Sequence, residues 1–303
     1  MRTVYLGTSP FAAAVLHALA ATPHRPALVV TRPDRPRGRG RRLAAPPVAD
    51  AARELGLELD QPASVNDEPA RARIAAASPD ALIVCAFGAL IKEPLLSDHE
   101  VLNVHPSLLP RWRGAAPIER AIMAGDAKTG VCIMRLTAGL DTGPVALRGE
   151  EPIEPRDTYG TLSERLEGLG GRLLIKALDA GPGGLRFEAQ DEDGATYAEK
   201  ITAEDRALDG ALEDAATLER RVRALSPHIG AALTLHEGQR LGVWAATARA
   251  GEPGDPAVGE LDLAQSRPAL GCAGGGVLLL DEVQPAGGRR MDAAAWARGH
   301  AGR

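Results

Sequence analysis

An amide, an imidazole and a carboxylate share one stretch of this chain, from Val101 to Pro144. Asn103 and His105 stand two residues apart at the end of an apolar, β-branched run, Val-Leu-Asn-Val-His. The period-two geometry of a strand turns both side chains to the same face. Pro106 ends that strand, and Ser107-Leu108-Leu109-Pro110 turns the chain away. Asp141 follows later in the Gly-bracketed loop Thr137-Ala-Gly-Leu-Asp-Thr-Gly-Pro144. An amide donor can hold a developing oxyanion, and an imidazole can donate a hydrogen bond to it and carry the proton of an amine. A carboxylate can orient that imidazole or accept a proton through water. On loops at strand ends, such a set suits acyl-group transfer. Each residue also has a plainer role: Asn103 as a strand-end turn residue, His105 as a satisfied interior histidine, Asp141 in an Asx-turn. The shared strand face of Asn103 and His105 favours chemistry.

The elements that must carry these residues alternate in type. Residues 3–6 predict a short strand, and Ser9-Pro10 predicts a helix start, with Ser as N-cap and Pro in the first turn. That helix is expected over 10–21, followed by a strand at 28–30, a helix over 46–56 and a short strand near 57–59. A helix near 67–77, a strand at 81–86, the strand 101–105, a helix near 117–124 and a strand at 130–136 continue the series. This pattern predicts an α/β fold with an open, mostly parallel, Rossmann-like sheet, whose ligands sit outside the carboxyl ends of its strands. Asn103 and His105 fall at such an end. Leu162, Leu166, Leu169, Leu173 and Leu174 predict an amphipathic helix over 158–180, stopped by Gly181-Pro-Gly-Gly184. Residues 186–204 are mixed and polar, as in a connector. A helix over 212–225 carries Arg220, Arg221 and Arg223, and five short β-like runs follow between 230 and 283. Those runs suggest a small β-barrel of the oligonucleotide-binding (OB-like) type, and 293–297 reads as helix. The expected domains are 1–185, a linker at 186–204, and 205–303.

A chain of 303 residues is comfortable for two domains. With 45% hydrophobic and 25% charged residues it reads as a soluble globular protein, and aromatics at 3% leave the cores to Ala, Leu and Val. The net charge of −5 excludes nucleic-acid binding through bulk charge, so any RNA contact must rest on a local basic patch. Cys85, Cys132 and Cys272 are widely spaced, with no metal-ligand spacing and no disulfide framework. No apolar stretch reaches the roughly 18 residues that span a bilayer, and the N-terminus opens on a strand-like segment rather than a signal, so a cytoplasmic protein without membrane contact is expected. Gly7-Thr8-Ser9 lacks the second and third glycines of a dinucleotide turn, which disfavours a nicotinamide cofactor.

Residues 32–42 hold six arginines, Arg32, Arg35, Arg37, Arg39, Arg41 and Arg42, against the single Asp34. Pro33, Pro36, Gly38 and Gly40 punctuate the run, which therefore forms neither a helix nor a central strand. A solvated loop is one explanation. In a net-acidic chain a dense cationic segment also invites a phosphate partner.

The segment Asn-x-His-x-Ser-Leu-Leu-Pro with its later Asp-x-Gly resembles the folate-dependent formyltransferases. Val4-Tyr-Leu-Gly-Thr-Ser-Pro-Phe-Ala12, the arginine-rich Thr31–Gly40 and Arg111-Trp-Arg-Gly-Ala-Ala-Pro-Ile118 narrow the resemblance to the methionyl-tRNA formyltransferase family. It extends through Thr196-Tyr-Ala-Glu-Lys200 and covers nearly the whole chain. The resemblance implies Asn103, His105 and Asp141 as catalytic residues and 10-formyltetrahydrofolate as co-substrate, with no metal. It implies that Ser107, Leu108, Leu109 and Pro110 help hold the reduced folate, and that the backbone of Phe87, Gly88 and Leu90 lines the pterin pocket; by its apolar character that last segment could equally be core. It also implies initiator methionyl-tRNA as partner, met by Arg35, Arg37, Arg39, Arg41 and Arg42, with Arg39 foremost. Arg113, beside Arg111 and Trp112, and the arginines at 220–223 would extend the track. A formyltransferase for a sugar amine or glycinamide ribonucleotide, or a non-catalytic RNA-binding protein, are the alternatives. Pro106 stands where relatives often carry Gly, and Leu225-Ser226-Pro227 where they carry Phe-Asn-Pro.

Overall fold

The structure, a computed structural model, describes residues 1–37, 42–235 and 238–300. They form two compact units, each built from more than one stretch of chain. The first comprises Met1–Pro117, Lys128–Pro152 and Ser163–Ala198; the second comprises Ile118–Ala127, Ile153–Leu162 and Glu199 onward.

The first unit is an α/β sheet. In chain order its elements are β1 (Thr3–Gly7), α1 (Pro10–Ala20), β2 (Leu28–Val30), β3 (Arg35–Arg37), β4 (Arg42–Ala44), α2 (Pro47–Glu54), β5 (Leu59–Asp60), α3 (Glu68–Ala76), β6 (Ala81–Cys85), α4 (Leu95–Asp98), β7 (Val101–His105) and β8 (Arg113–Gly114). It continues with β9 (Lys128–Arg135), β10 (Val145–Pro152), α6 (Tyr159–Asp179) from Ser163 onward and β11 (Tyr197–Ala198), whereas α5 (Pro117–Ala124) belongs to the second unit from Ile118. Ser9 caps α1 as its type predicts, its hydroxyl accepting from the Ala12 amide at 3.2 Å with Pro10 in the first turn.

The main sheet runs β10-β9-β7-β6-β1-β2-β5. From β5 to β7 it is parallel, whereas β9 and β10 are antiparallel additions at one edge. Strand β10 is absent from the sequence expectations, and its Arg148, Glu150, Glu151 and Pro152 give it no apolar run. An edge strand tolerates such residues, since one side of it meets solvent. Val4, Leu6, Leu28, Val30, Leu82 and Val84 fill the core on one face of the sheet.

The expected connector at 186–204 divides instead between the units. Residues through Ala198 belong to the first, where β11 pairs in parallel with β8 and Glu188 bridges to Val145. A polar composition hid this, because the segment is held by hydrogen bonds rather than by an apolar face.

The second unit carries α7 (Ala215–Leu225), β12 (Ala231–Thr234), β13 (Arg240–Ala250), β14 (Leu261–Asp262), β15 (Ala269–Gly271), β16 (Gly276–Pro285), β17 (Met291–Asp292) and α8 (Ala293–Arg298). Its antiparallel sheet, β12-β13-β16-β15-β14 with β17 on β16, curls into a half-barrel. Register shifts near Ala245 break the β13/β16 ladder, and bulges of this kind add bend and twist. The barrel expected from sequence is thus incomplete: among the described residues the end strands β12 and β14 do not pair. Leu218, Val222 and Leu225 of α7 pack on Val243, Leu278, Leu280 and Val283, with Trp296 of α8 completing the core.

Candidate active site

Strand β7 lies between β6 and β9, so both of its edges are hydrogen-bonded and its tip is fixed. Asn103 pairs with Val84 and Met134, and His105 with Cys132. Their side chains share one face and are 7% and 4% exposed. Asp141, on the loop between β9 and β10, reaches the same place. Its Oδ1 lies 3.4 Å from Nδ2 of Asn103, and its Oδ2 lies 3.7 Å from Nδ1 of His105. The structure therefore brings the three candidate catalytic residues together.

Two of the three, His105 and Asp141, are held from behind. Nε2 of His105 donates to the carbonyl of Trp112 at 2.9 Å, and since a carbonyl only accepts, the Nε2 proton is fixed. In the neutral ring Nδ1 is then bare and faces Asp141. Oδ2 of Asp141 accepts the amide hydrogen of Gly114 at 2.8 Å. The Asp141 backbone sits at φ +50°, a conformation uncommon for a residue with a side chain. Gly143 allows the loop to close: a Cβ there would overlap the Arg135 carbonyl. Gly114, at φ +119°, would meet the Ala198 carbonyl oxygen at 2.8 Å if it carried a Cβ.

The turn after β7 is mostly scaffold. Ser107 is fully buried, and its hydroxyl donates to the Arg111 carbonyl at 2.6 Å, so it is spent on closing the turn. Leu109 packs into a small core with Cys132, Met134 and Val145. The Pro110 carbonyl accepts from the Thr196 amide, and Leu108 is half-buried, its side chain near Gly130. The Ser107 and Leu109 side chains face the protein, which leaves the backbone of this turn as what it can offer to a folate.

The loop after β6 divides in the same way. Phe87 is buried in the core of the sheet, and its carbonyl accepts from the Thr8 hydroxyl at 2.8 Å. Ala86 at φ +41° and Gly88 at φ +68° turn the chain at the strand end and leave Leu90 64% exposed. The Arg32 guanidinium lies over Gly88, 2.7 Å from where a Cβ would stand.

At the described ends of the arginine-rich run β3 and β4 pair antiparallel, with Arg35 opposite Ala44 and Arg37 opposite Arg42. Arg35 is exposed. Arg39 and Arg41 lie outside the described residues. Arg113 is corrected. It is 0% exposed, its two terminal nitrogens each 2.9 Å from a Glu192 oxygen and its Nε 3.1 Å from Gln190, so it has no face to offer a phosphate. The hydrogen-bonded Glu192 pushes the Arg113 pKa up, and Arg113 pulls that of Glu192 down. The arginines of α7 are committed as well: Arg221 pairs with Glu213, while Arg220 and Arg223 donate to the carbonyls of Met123 and Asp157.

Sequence reasoning missed Gln190, whose amide nitrogen donates to the carbonyls of Asp141 and Gly143, 2.7 Å to each. It also missed the Trp112 carbonyl and the Thr196 hydroxyl that accepts from the Trp112 amide at 2.9 Å. Thr196 begins the Thr-Tyr-Ala-Glu-Lys motif, which was the available signal; no periodicity marks Gln190.

Residues 1–178 match the formyl transferase family, and residues 200–301 match the formyl transferase C-terminal domain. A methionyl-tRNA formyltransferase of Methylococcus capsulatus is 44% identical over 99% of this chain and 97% of its own length. One from Dechloromonas aromatica is 43% identical over 99% and 96%. The chain belongs to the methionyl-tRNA formyltransferase family. Among solved structures, HypX of Aquifex aeolicus with tetrahydrofolic acid matches with a TM-score of 0.65 at 18% identity, over 98% of this chain and 46% of that one. An N-formyltransferase of Helicobacter canadensis, with folinic acid and dTDP-3-aminofucose, matches with a TM-score of 0.67 at 13% identity, over 92% of this chain and 98% of that one. Those two likenesses are of fold.

The buried thiols add no candidate to this site. Burial pushes the Cys85 thiol up to about 12 and the Cys132 thiol up to about 11, so neither is a nucleophile near neutrality. Among the described residues no group of His, Cys, Asp or Glu is arranged to hold a metal.

Proposed function

We propose that this protein transfers the formyl group of 10-formyltetrahydrofolate to the α-amino group of initiator methionyl-tRNA, for translation initiation. One observation carries the reading: Asn103, His105 and Asp141 converge at a strand tip in a chain of this family. The reduced folate supplies an activated formyl group. The turn Ala86–Leu90 fits it through backbone groups and the exposed Leu90, with the Phe87 side chain turned inward.

The remaining chemistry belongs to the chain. Asn103 Nδ2 donates to the oxygen that gains charge as the amine adds, a contribution worth roughly 2.7–4 kcal/mol for such a donor. The amine attacks in its neutral form and must then lose a proton. Nδ1 of His105 is the bare nitrogen on the site side, so it takes that proton while Nε2 stays on Trp112. The positive charge so formed lies 3.7 Å from Asp141, which holds it by ion pairing. As the oxygen's charge returns, the bond from the formyl carbon to the donor's N10 breaks, and the proton taken by His105 goes to that departing nitrogen, so no covalent enzyme intermediate is needed. Ester linkage at the methionine carboxyl withdraws electrons from the amine and keeps more of it neutral.

The tRNA phosphates meet Arg35, Arg37, Arg39, Arg41 and Arg42 of the arginine-rich segment. Sugar amines and glycinamide ribonucleotide are disfavoured as acceptors, since relatives at 43–44% identity bear the methionyl-tRNA name. No helix of the described residues is long and apolar enough to cross a membrane; a cytoplasmic site of action follows from the proposed role in translation. The test is transfer of labelled formyl from the folate donor to charged methionyl-tRNA, with free methionine and a nucleotide-linked amino sugar as controls. Label on the tRNA alone supports the reading; label on the sugar, or none, rejects it.

A further inference from the structure

The carboxylate of Asp141 works only if its backbone stays in the left-handed conformation that aims it between Asn103 and His105. A residue with a Cβ occupies φ +50° at a cost, so something must hold it there. Gln190 is in place to do so. Both hydrogens of its amide are used, on the carbonyls of Asp141 and Gly143, which flank the loop tip. Its oxygen accepts from Nε of Arg113 at 3.1 Å, and this fixes the orientation of the amide, because a flipped amide would set oxygen against two carbonyls. Arg113 is in turn gripped at both terminal nitrogens by Glu192. The next residue, Gly114, supplies the amide hydrogen on Oδ2 of Asp141. Asp141 is thus held at its backbone by Gln190 and at its carboxylate by Gly114, and both holds trace to Arg113.

We propose that Gln190 is a positioning residue for formyl transfer, acting through Asp141 and locked by the Arg113–Glu192 pair. The proposal rests on the formyl-transfer reading above. Only a primary amide combines two N–H donors with an acceptor at this reach. Glutamate would present oxygens to both carbonyls, and methionine fills the same volume with no donor at all. A misplacement of about 1 Å in a reacting group costs on the order of 10²-fold in rate. Loss of the clamp therefore falls on kcat rather than on substrate binding, and it matters only while residue 141 carries a carboxylate.

The test is single-turnover formyl transfer to methionyl-tRNA by the full chain as wild type, Gln190→Met, Asp141→Asn and the double variant, with thermal unfolding in parallel. We expect Gln190→Met to lower kcat by roughly 10- to 100-fold with KM for both substrates within about twofold. In the Asp141→Asn background the same change should cost less than about threefold. The full factor in both backgrounds, or a wild-type kcat for Gln190→Met, overturns the proposal. Glu192, 70% exposed in its side chain, gives a second variant that keeps the fold. Glu192→Gln should lower kcat by a smaller factor that also vanishes with Asp141→Asn, and a factor that persists there overturns the role equally. A wild-type protein that moves no formyl group refutes the formyl-transfer reading itself, and the clamp's kinetic role with it.

Discussion

The side-chain amide of Asn103 and the carboxylate of Asp141, 38 residues apart in sequence, meet at 3.4 Å with His105 on the same carboxylate. Neither partner is placed by its own segment alone. Asn103 is set by a strand paired on both edges, and Asp141 by a loop that a glycine, a glutamine and a neighbouring amide hold in a strained turn. The supports are backbone groups together with the side-chain amide of Gln190.

Gly143→Ala should disrupt that loop. The new methyl overlaps the Arg135 carbonyl, so the turn must open and carry Asp141 away from His105. We expect formyl transfer to fall by at least about tenfold, together with a lower unfolding temperature. Wild-type activity in this variant would show that the close approach is not needed.

The arginine-rich segment makes a different prediction. Changing Arg37, Arg39 and Arg41 together to Ala should weaken use of the tRNA and leave folate binding alone. The loss in kcat/KM for tRNA should grow as salt is raised in the wild type and flatten in the variant, since about one unit of salt slope goes with each phosphate contact. An identical salt slope would mean the arginines are only solvated.

The parallel core of the sheet was legible because apolar runs such as Ala81–Cys85 and Val101–His105 are buried on both faces and stand out in composition. Asn103 and His105 were legible for the same reason: two polar residues at the end of such a run have to be there for a purpose. Arg113 misled because a cation next to Trp112 and Arg111 reads as surface, and nothing nearby in sequence announces Glu192, its partner 79 residues further on. Gln190 escaped notice for the complementary reason. Its partners are backbone carbonyls, which every residue has, so no side-chain pattern marks them.

Acid should loosen the second unit in a defined window. The hydrogen-bonded guanidinium of Arg120 holds the Asp205 carboxyl down at about 2, below the roughly 3.9 of an unfolded chain. The stabilisation is therefore present above about pH 4 and is lost as pH falls toward 2. Asp205→Asn should lower the unfolding temperature at pH 7, and the gap from wild type should narrow as pH drops below 4. A gap that stays constant with pH would rule out this ion pair as its source.

The thiols should be silent. With Cys85 and Cys132 buried and held far above neutral pH, iodoacetamide at pH 8 should label neither in the folded protein and should leave formyl transfer unchanged. Mass spectrometry reads the labelling directly, and modification of either residue with loss of activity would reopen a thiol mechanism.

The most direct test of the shared reaction centre is single-turnover formyl transfer to methionyl-tRNA by Asn103→Ala, His105→Ala and the double variant. Each single change should slow transfer by roughly 10²–10³-fold while the protein stays folded. Because the two serve one step, Asn103 on the oxygen and His105 on the attacking amine, the double variant should lose far less than the product of the two factors. Ordinary turnover in either single variant, or fully multiplicative losses in the double, would contradict the account.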